Sequence, residues 1–266
     1  MSSIEAILLG LLQGLTEFLP VSSSGHLTIA KALFGIQTDD LSFEVVVHAA
    51  TVLATIIVFR KEIWELLCGL FKFRYNSQTR YICLLLVSMI PVFVVGMFFK
   101  DQVEAIFGNG LLVVGVALLV TALLLLLSEI VPRSAKFAGE REISYRSAFL
   151  IGLAQAVAVI PGLSRSGSTI ATGLMCGVRK SEVAQFSFLM VLVPILGEAF
   201  LDVVGGDFAA STVGGLQLAL GFVAAFVSGL LACRFMVAIV RKARLRWFAL
   251  YCALVGLACI ISKLIA

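Results

Sequence analysis

Pro20-Val21-Ser22-Ser23-Ser24-Gly25-His26 and Pro161-Gly162-Leu163-Ser164-Arg165-Ser166-Gly167-Ser168-Thr169 are two polar interruptions in an otherwise apolar chain. Each follows a run of one pattern, Leu9-Gly10-Leu11-Leu12-Gln13 in the first half and Ile151-Gly152-Leu153-Ala154-Gln155 in the second. Gly10 and Gly152, Gln13 and Gln155, Ser22 and Ser164, Ser24 and Ser166, and Gly25 and Gly167 all stand 142 positions apart. A constant offset points to an internal repeat. Its two polar stretches lie where the surrounding composition calls for lipid.

That composition is decisive. Of 266 residues, 61% are hydrophobic and 14% charged, with a mean hydropathy of +1.09. Soluble domains carry about a quarter charged residues, so the chain reads as a polytopic membrane protein with an all-α fold. The six cysteines (Cys68, Cys83, Cys176, Cys233, Cys252 and Cys259) form no CxxC pair and sit beside only two histidines. They read as small apolar residues rather than a zinc or disulfide framework. The N-terminus has no basic region ahead of its apolar run, so it reads as mature protein rather than signal peptide.

Six apolar runs are long enough to cross about 30 Å of hydrocarbon, which takes ~20 helical residues. They cover roughly 43–60, 81–99, 110–130, 183–205, 213–240 and 246–265. The segments 4–36 and 146–178 differ, because each breaks at its polar stretch and resumes too briefly to cross alone. Re-entrant helical hairpins with buried turns are predicted there, since irregular backbone at membrane depth is tolerated only inside protein.

Basic residues sort the loops. With six crossings and two hairpins, one side gathers Arg60, Lys61, Lys72, Arg74, Arg80, Arg133, Lys136, Arg141, Arg146, Arg179, Lys180, Arg241, Lys242, Arg244 and Arg246. The other side has little beyond Lys100, Lys263, Asp39, Asp40 and Asp207. The positive-inside rule makes the first side cytoplasmic and leaves both termini outside. The chain then reads as one membrane domain of two repeats, 1–130 and 143–266, joined by a short cytoplasmic linker. Each repeat has three spans, an odd number, so the second is inverted and the two hairpins enter from opposite faces. Inverted-repeat transporters place their sites between such broken helices.

The residues at the tips are chemically pointed. Gln13 and Glu17, four apart, share a helix face. Ser22, Ser23, Ser24, Gly25 and His26 open the next helix. Ser164, Ser166, Gly167 and Thr169 open its counterpart, with Arg165 added. Helix N-termini with hydroxyls beside them bind anions. Two of them and an Arg facing one space suit a phosphate or diphosphate. An ionisable residue inside a membrane costs about 2.5–3.5 kcal/mol on insertion scales, so function is the default reading of Glu17 and Arg165. His26 is read as functional and His48 as a core histidine bonded to a backbone carbonyl. Glu44 is read as an interfacial anchor or a site residue. The basic run 241–246 reads as a cytoplasmic charge anchor, not a nucleic-acid patch. There is no P-loop, HExxH or dinucleotide fingerprint, so nucleotide does not power the chain.

Gln13-x-x-x-Glu17, continuing to His26, and Pro161-Gly162-x-Ser164-Arg165-Ser166-Gly167-x-Thr169 resemble the two signatures of the undecaprenyl-diphosphate phosphatases, the bacterial bacitracin-resistance family. The resemblance covers the whole chain. It implies hydrolysis of a C55 polyprenyl diphosphate to the monophosphate and inorganic phosphate, which recycles the lipid carrier of cell-wall synthesis. It also implies a bacterial cytoplasmic-membrane location, an outward-facing site and dependence on a divalent cation, Mg²⁺ or Ca²⁺. A weaker similarity links Ser24-Gly25-His26 and Ser164-Arg165 to type-2 phosphatidic-acid phosphatases. Those need a second His downstream, and none follows His48 here.

On this reading Glu17, Ser23, His26 and Arg165 are the catalytic candidates. Ser23, or next Ser22, is the nucleophile, and His26 or Glu17 the base. Ser22, Ser24, Gly25, Ser164, Ser166, Gly167 and Thr169 bind substrate, and Gln13 and Glu17 offer oxygen to the cation. Attack by metal-bound water, and a lipid flippase or transporter in place of an enzyme, are the alternatives. A homodimer is compatible with the sequence.

Overall fold

A computed structural model describes residues 1–36, 42–99, 110–131, 141–194, 197, 213–242 and 244–265. Among them the secondary structure is helical apart from one isolated bridge between Arg141 and Val178. The helices are α1 (Ser3–Phe18), α2 (Ser23–Phe34), α3 (Ser42–Val58), α4 (Arg60–Leu70), α5 (Ser77–Phe98), α6 (Gly110–Ile130), α7 (Tyr145–Val157), α8 (Arg165–Met175), α9 (Lys180–Met190), α10 (Gly215–Lys242) and α11 (Arg246–Ile265). Among the described residues, α5, α6, α10 and α11 are long and apolar enough to cross a membrane. The pair α3–α4 makes a fifth such unit if its 73° bend is taken as one broken span. The span expected at 43–60 is therefore α3, which ends at Val58 and turns sharply at Phe59. Residues 195, 196 and 198–205 of the span expected at 183–205 lie outside the described residues, as do Asp39, Asp40, Lys100, Arg133, Lys136 and Asp207.

Both polar interruptions fall where helices end. Pro20 and Pro161 lie in the breaks, Leu19–Ser22 and Ala158–Ser164, and the two helices flanking each break pack on one another. Ser22 and Ser164 are the N-caps of α2 and α8. The hydroxyl of each accepts from a backbone N–H three residues on, Gly25 at 3.2 Å and Gly167 at 3.0 Å. The two breaks differ in where they bend. The first places Ser22 at φ 71°, whereas the second places Gly162 at φ 86°. Left-handed backbone is easy for Gly but costs a non-glycine residue about 1–3 kcal/mol. The carbonyl of Ser22 is held from both sides, by the His26 backbone N–H at 3.2 Å and His26 Nδ1 at 2.7 Å.

Helix α1 lies along α10 and α7 along α5, while α6 pairs with α11. Small residues let these helices approach, as is usual where lipid supplies no hydrophobic drive for association. A Cβ on Gly10 would meet the backbone of Gly221, and one on Gly152 would meet the backbone of Ser88. Gly10→Leu should cost about 1–3 kcal/mol by overpacking, read as earlier thermal unfolding in detergent. Gly96→Leu, facing open space, should not lower that temperature.

Helix starts carrying basic residues come together at one end. Arg80 donates to the Ile143 carbonyl at 2.9 Å and lies 3.5 Å from Glu142, which is also 3.7 Å from Arg179.

Candidate active site

Glu17 closes the last turn of α1, and four other side chains meet its carboxylate. Its Oε2 accepts from Gln13 Nε2 at 2.8 Å and from Ser23 Oγ at 2.5 Å. The same oxygen lies 3.6 Å from His48 Nε2 of α3. Its Oε1 is ion-paired with the guanidinium of Arg165. The Glu17 side chain is 6% exposed, and Arg165 and His48 are 25% exposed. A near-buried carboxylate survives at such a place only when paired and hydrogen-bonded. Arg165 is the first residue of α8, so the pair joins the two polar turns across 148 positions of sequence.

The turns are braced to each other by further contacts. Ser24 Oγ accepts from the Gly162 N–H at 3.4 Å, and Ser166 Oγ donates to the Leu19 carbonyl at 2.9 Å. Gly25 allows this contact, since a Cβ there would press on Gly162 Cα. Thr121 of α6 accepts from the Ser164 N–H at 3.0 Å.

A narrow cleft of about 20 Å³ lies beside the ion pair. Glu17, Arg165, Ser166 and Ser187 supply its polar wall, and Phe18, Val52, Phe188 and Val191 its apolar one. Its polar wall suits an anion and its apolar wall suits hydrocarbon.

The expected site residues thus divide. Gln13, Glu17, Ser23 and Arg165 are brought together. Ser22 and Ser164 turn their hydroxyls to their own helices as caps, Ser24 and Ser166 brace the turns, and Gly25 and Gly167 supply the capped N–H groups. Thr169 Oγ1 donates to the Arg165 carbonyl at 2.8 Å and sits 2.5 Å from Ser187 Oγ. His26 stands apart from Glu17, with Nδ1 at the Ser22 carbonyl and Nε2 2.7 Å from Tyr251 Oη of α11. His48 bonds a backbone carbonyl as expected, Glu44 O at 2.8 Å through Nδ1. Its other nitrogen faces Glu17, which sequence reasoning missed. Glu44 is ion-paired with Lys31, so it fastens α3 to α2.

Oxygen donors for a hard cation are present. Glu17 offers a carboxylate, and the Gln13 amide oxygen is fully buried with no hydrogen-bond partner among the described residues. Among those residues no three His, Cys, Asp or Glu side chains cluster. A cation here would take the rest of its shell from phosphate oxygens and water, as Mg²⁺ commonly does.

The sequence profile described as "Bacitracin resistance protein BacA" matches residues 6–258. Proteins called undecaprenyl-diphosphatase are similar along nearly the whole chain. That of Bacteroides fragilis is 57% identical over 265 residues, 98% of each chain. That of Parabacteroides distasonis is 57% identical over 269 residues, covering all of both chains. That of Christiangramia forsetii is 48% identical over 264 residues, 98% of each chain.

Proposed function

The chain belongs to the BacA bacitracin-resistance family, and from that membership we infer that it is an undecaprenyl diphosphatase of the membrane. It is an integral membrane hydrolase that cleaves the phosphoanhydride of undecaprenyl diphosphate. The products are undecaprenyl monophosphate, the carrier lipid of cell-wall synthesis, and inorganic phosphate. One observation supports the chemistry most: Ser23, Glu17 and Arg165 lie in one chain of contacts at two helix N-termini.

Diphosphate hydrolysis is limited by charge, so positioning and electrostatics dominate. In the mechanism proposed here, Arg165 and the free N–H groups opening α2 and α8 hold the terminal phosphoryl group. Ser23 Oγ attacks its phosphorus while Glu17 Oε2 takes the hydroxyl proton. The bridging P–O bond breaks, its electron pair leaves with the prenyl monophosphate, and Glu17 passes the Ser23 proton to that departing oxygen, becoming a carboxylate again. Water then attacks the phosphoserine, giving one proton to Glu17. The Ser23–phosphorus bond breaks, inorganic phosphate departs, and Ser23 recovers its proton. Glu17 rather than His26 serves as base, because Glu17 is at hydrogen-bond distance from Ser23 and both His26 nitrogens are engaged elsewhere. The role of His26 is to hold the Ser22 turn against Tyr251. Gln13 and Glu17 would hold the divalent cation, whose positive charge offsets that of the diphosphate oxygens. The apolar wall formed by Phe18, Val52, Phe188 and Val191 takes the start of the prenyl tail.

Two repeats, 1–130 and 143–266, account for the matched caps at Ser22 and Ser164. The basic cluster around Arg80 and Arg179 is consistent with that end facing the cytoplasm, with the site opening outward and both termini outside.

Purified protein in detergent should release phosphate from undecaprenyl diphosphate, and a chelator should suppress the release. A transporter with the same broken helices would move lipid across vesicles and release none.

A further inference from the structure

We propose that His48 is a ligand of the divalent cation, completing a set with Glu17 and Gln13. The inference rests on the cation reading above and adds a nitrogen donor from α3, outside both polar turns.

The tautomer comes first. His48 Nδ1 lies 2.8 Å from the Glu44 carbonyl, an acceptor only, so Nδ1 carries the proton. In the neutral ring, the form that binds a metal, Nε2 keeps its lone pair, and it lies 3.6 Å from Glu17 Oε2. Metal-binding imidazoles commonly have this arrangement, with one ring N–H fixed on a backbone carbonyl and the other nitrogen free for the ion. One ion bound at about 2.0–2.1 Å by nitrogen and by oxygen spans such a separation.

The second observation is the unpartnered oxygen of Gln13, 0% exposed. Its amide nitrogen now lies 2.8 Å from Glu17 Oε2. Turned over, the amide places its oxygen where the nitrogen now lies, beside Glu17 Oε2. The carboxylate can serve both charges, because Arg165 takes Oε1 while Oε2, which also accepts from Ser23, faces His48. Two neutral donors and one carboxylate make a low-charge set, which leaves the ion charge to spend on diphosphate. An imidazole ligand also moves preference from Mg²⁺ and Ca²⁺ toward Mn²⁺ and Zn²⁺.

Manganese is the probe, with electron spin echo spectroscopy on the purified full chain in detergent plus inorganic phosphate. The chain has two histidines, so labelling with ¹⁵N-histidine separates their signal from all other nitrogen. Bound Mn²⁺ should show a histidine nitrogen coupling that persists in His26→Gln and disappears in His48→Gln. His48→Gln should also weaken Mn²⁺ binding roughly tenfold or more, and Mg²⁺ binding less. If His48→Gln does not fold, labelled His26→Gln protein answers alone, since His48 is then its sole histidine. Bound Mn²⁺ without histidine coupling, or with coupling lost in His26→Gln, overturns the inference and leaves the cation reading standing. No Mn²⁺ bound to wild type overturns both. Phosphate release that survives a chelator separates those failures from the hydrolase itself.

Discussion

Replacing Arg165 with Ala should lower phosphate release from undecaprenyl diphosphate by roughly 10²–10³, the loss seen when a donor aimed at developing charge is removed. The same change should destabilise the protein. It leaves the Glu17 carboxylate, 6% exposed, without its counter-ion, and breaking a buried pair costs about 3–5 kcal/mol. The stability effect is isolated in Arg165→Ala with Glu17→Gln, where neutralising the stranded carboxylate should restore thermal stability in detergent; its activity is not informative, because Glu17 is also the base. Arg165→Lys should keep the charge and recover part of the stability. It should fall well short in rate, because an ammonium cannot present the planar fork that grips two phosphate oxygens. An Arg165→Ala protein with near wild-type turnover would remove the clamp from the mechanism.

Ser23→Ala should have the larger effect on rate, on the order of 10³-fold or more, because a nucleophile lost from a concerted unit disables the whole unit. Its effect on stability should be small. The Ser23 hydroxyl is half-buried and donates only to Glu17, which keeps its contacts with Gln13 and Arg165. Ser22→Ala supplies the contrast. Ser22 caps α2, so its loss should cost about 0.5–2 kcal/mol of stability and much less in rate. Rapid-quench measurement with radiolabelled terminal phosphate should trap label on wild-type protein and none on Ser23→Ala. Normal turnover by Ser23→Ala would return the reaction to direct attack by water.

How much of this was legible in the sequence depends on what each feature rests on. The two breaks were, because Pro, Ser and Gly act locally and leave the same mark wherever they occur. The meeting of Glu17 with Arg165 was also within reach, since a membrane interior does not tolerate either charge alone. Directions of side chains were not. The hydroxyls of Ser22, Ser24, Ser164 and Ser166 all pass for phosphate donors on paper; in the structure the first three accept from backbone N–H groups and Ser166 donates to the Leu19 carbonyl, an arrangement residue type alone does not give. His26 lies in a signature but faces Tyr251, whose distance in sequence gave no hint of contact. His48 looked structural because it lies within a span, and one of its nitrogens does bond a carbonyl. Which way the other nitrogen pointed depended on how α3 crosses α1, and α3 itself bends away at Phe59.

The central claim is that residues from both turns act on one phosphoryl group. A double-mutant cycle on phosphate release tests it most directly, with wild type, Ser23→Ala, Arg165→Ala and the double variant compared in detergent. Residues that share one transition state lose their effects together, so the double variant should fall little below the worse single variant. Losses that multiply would contradict a single shared site.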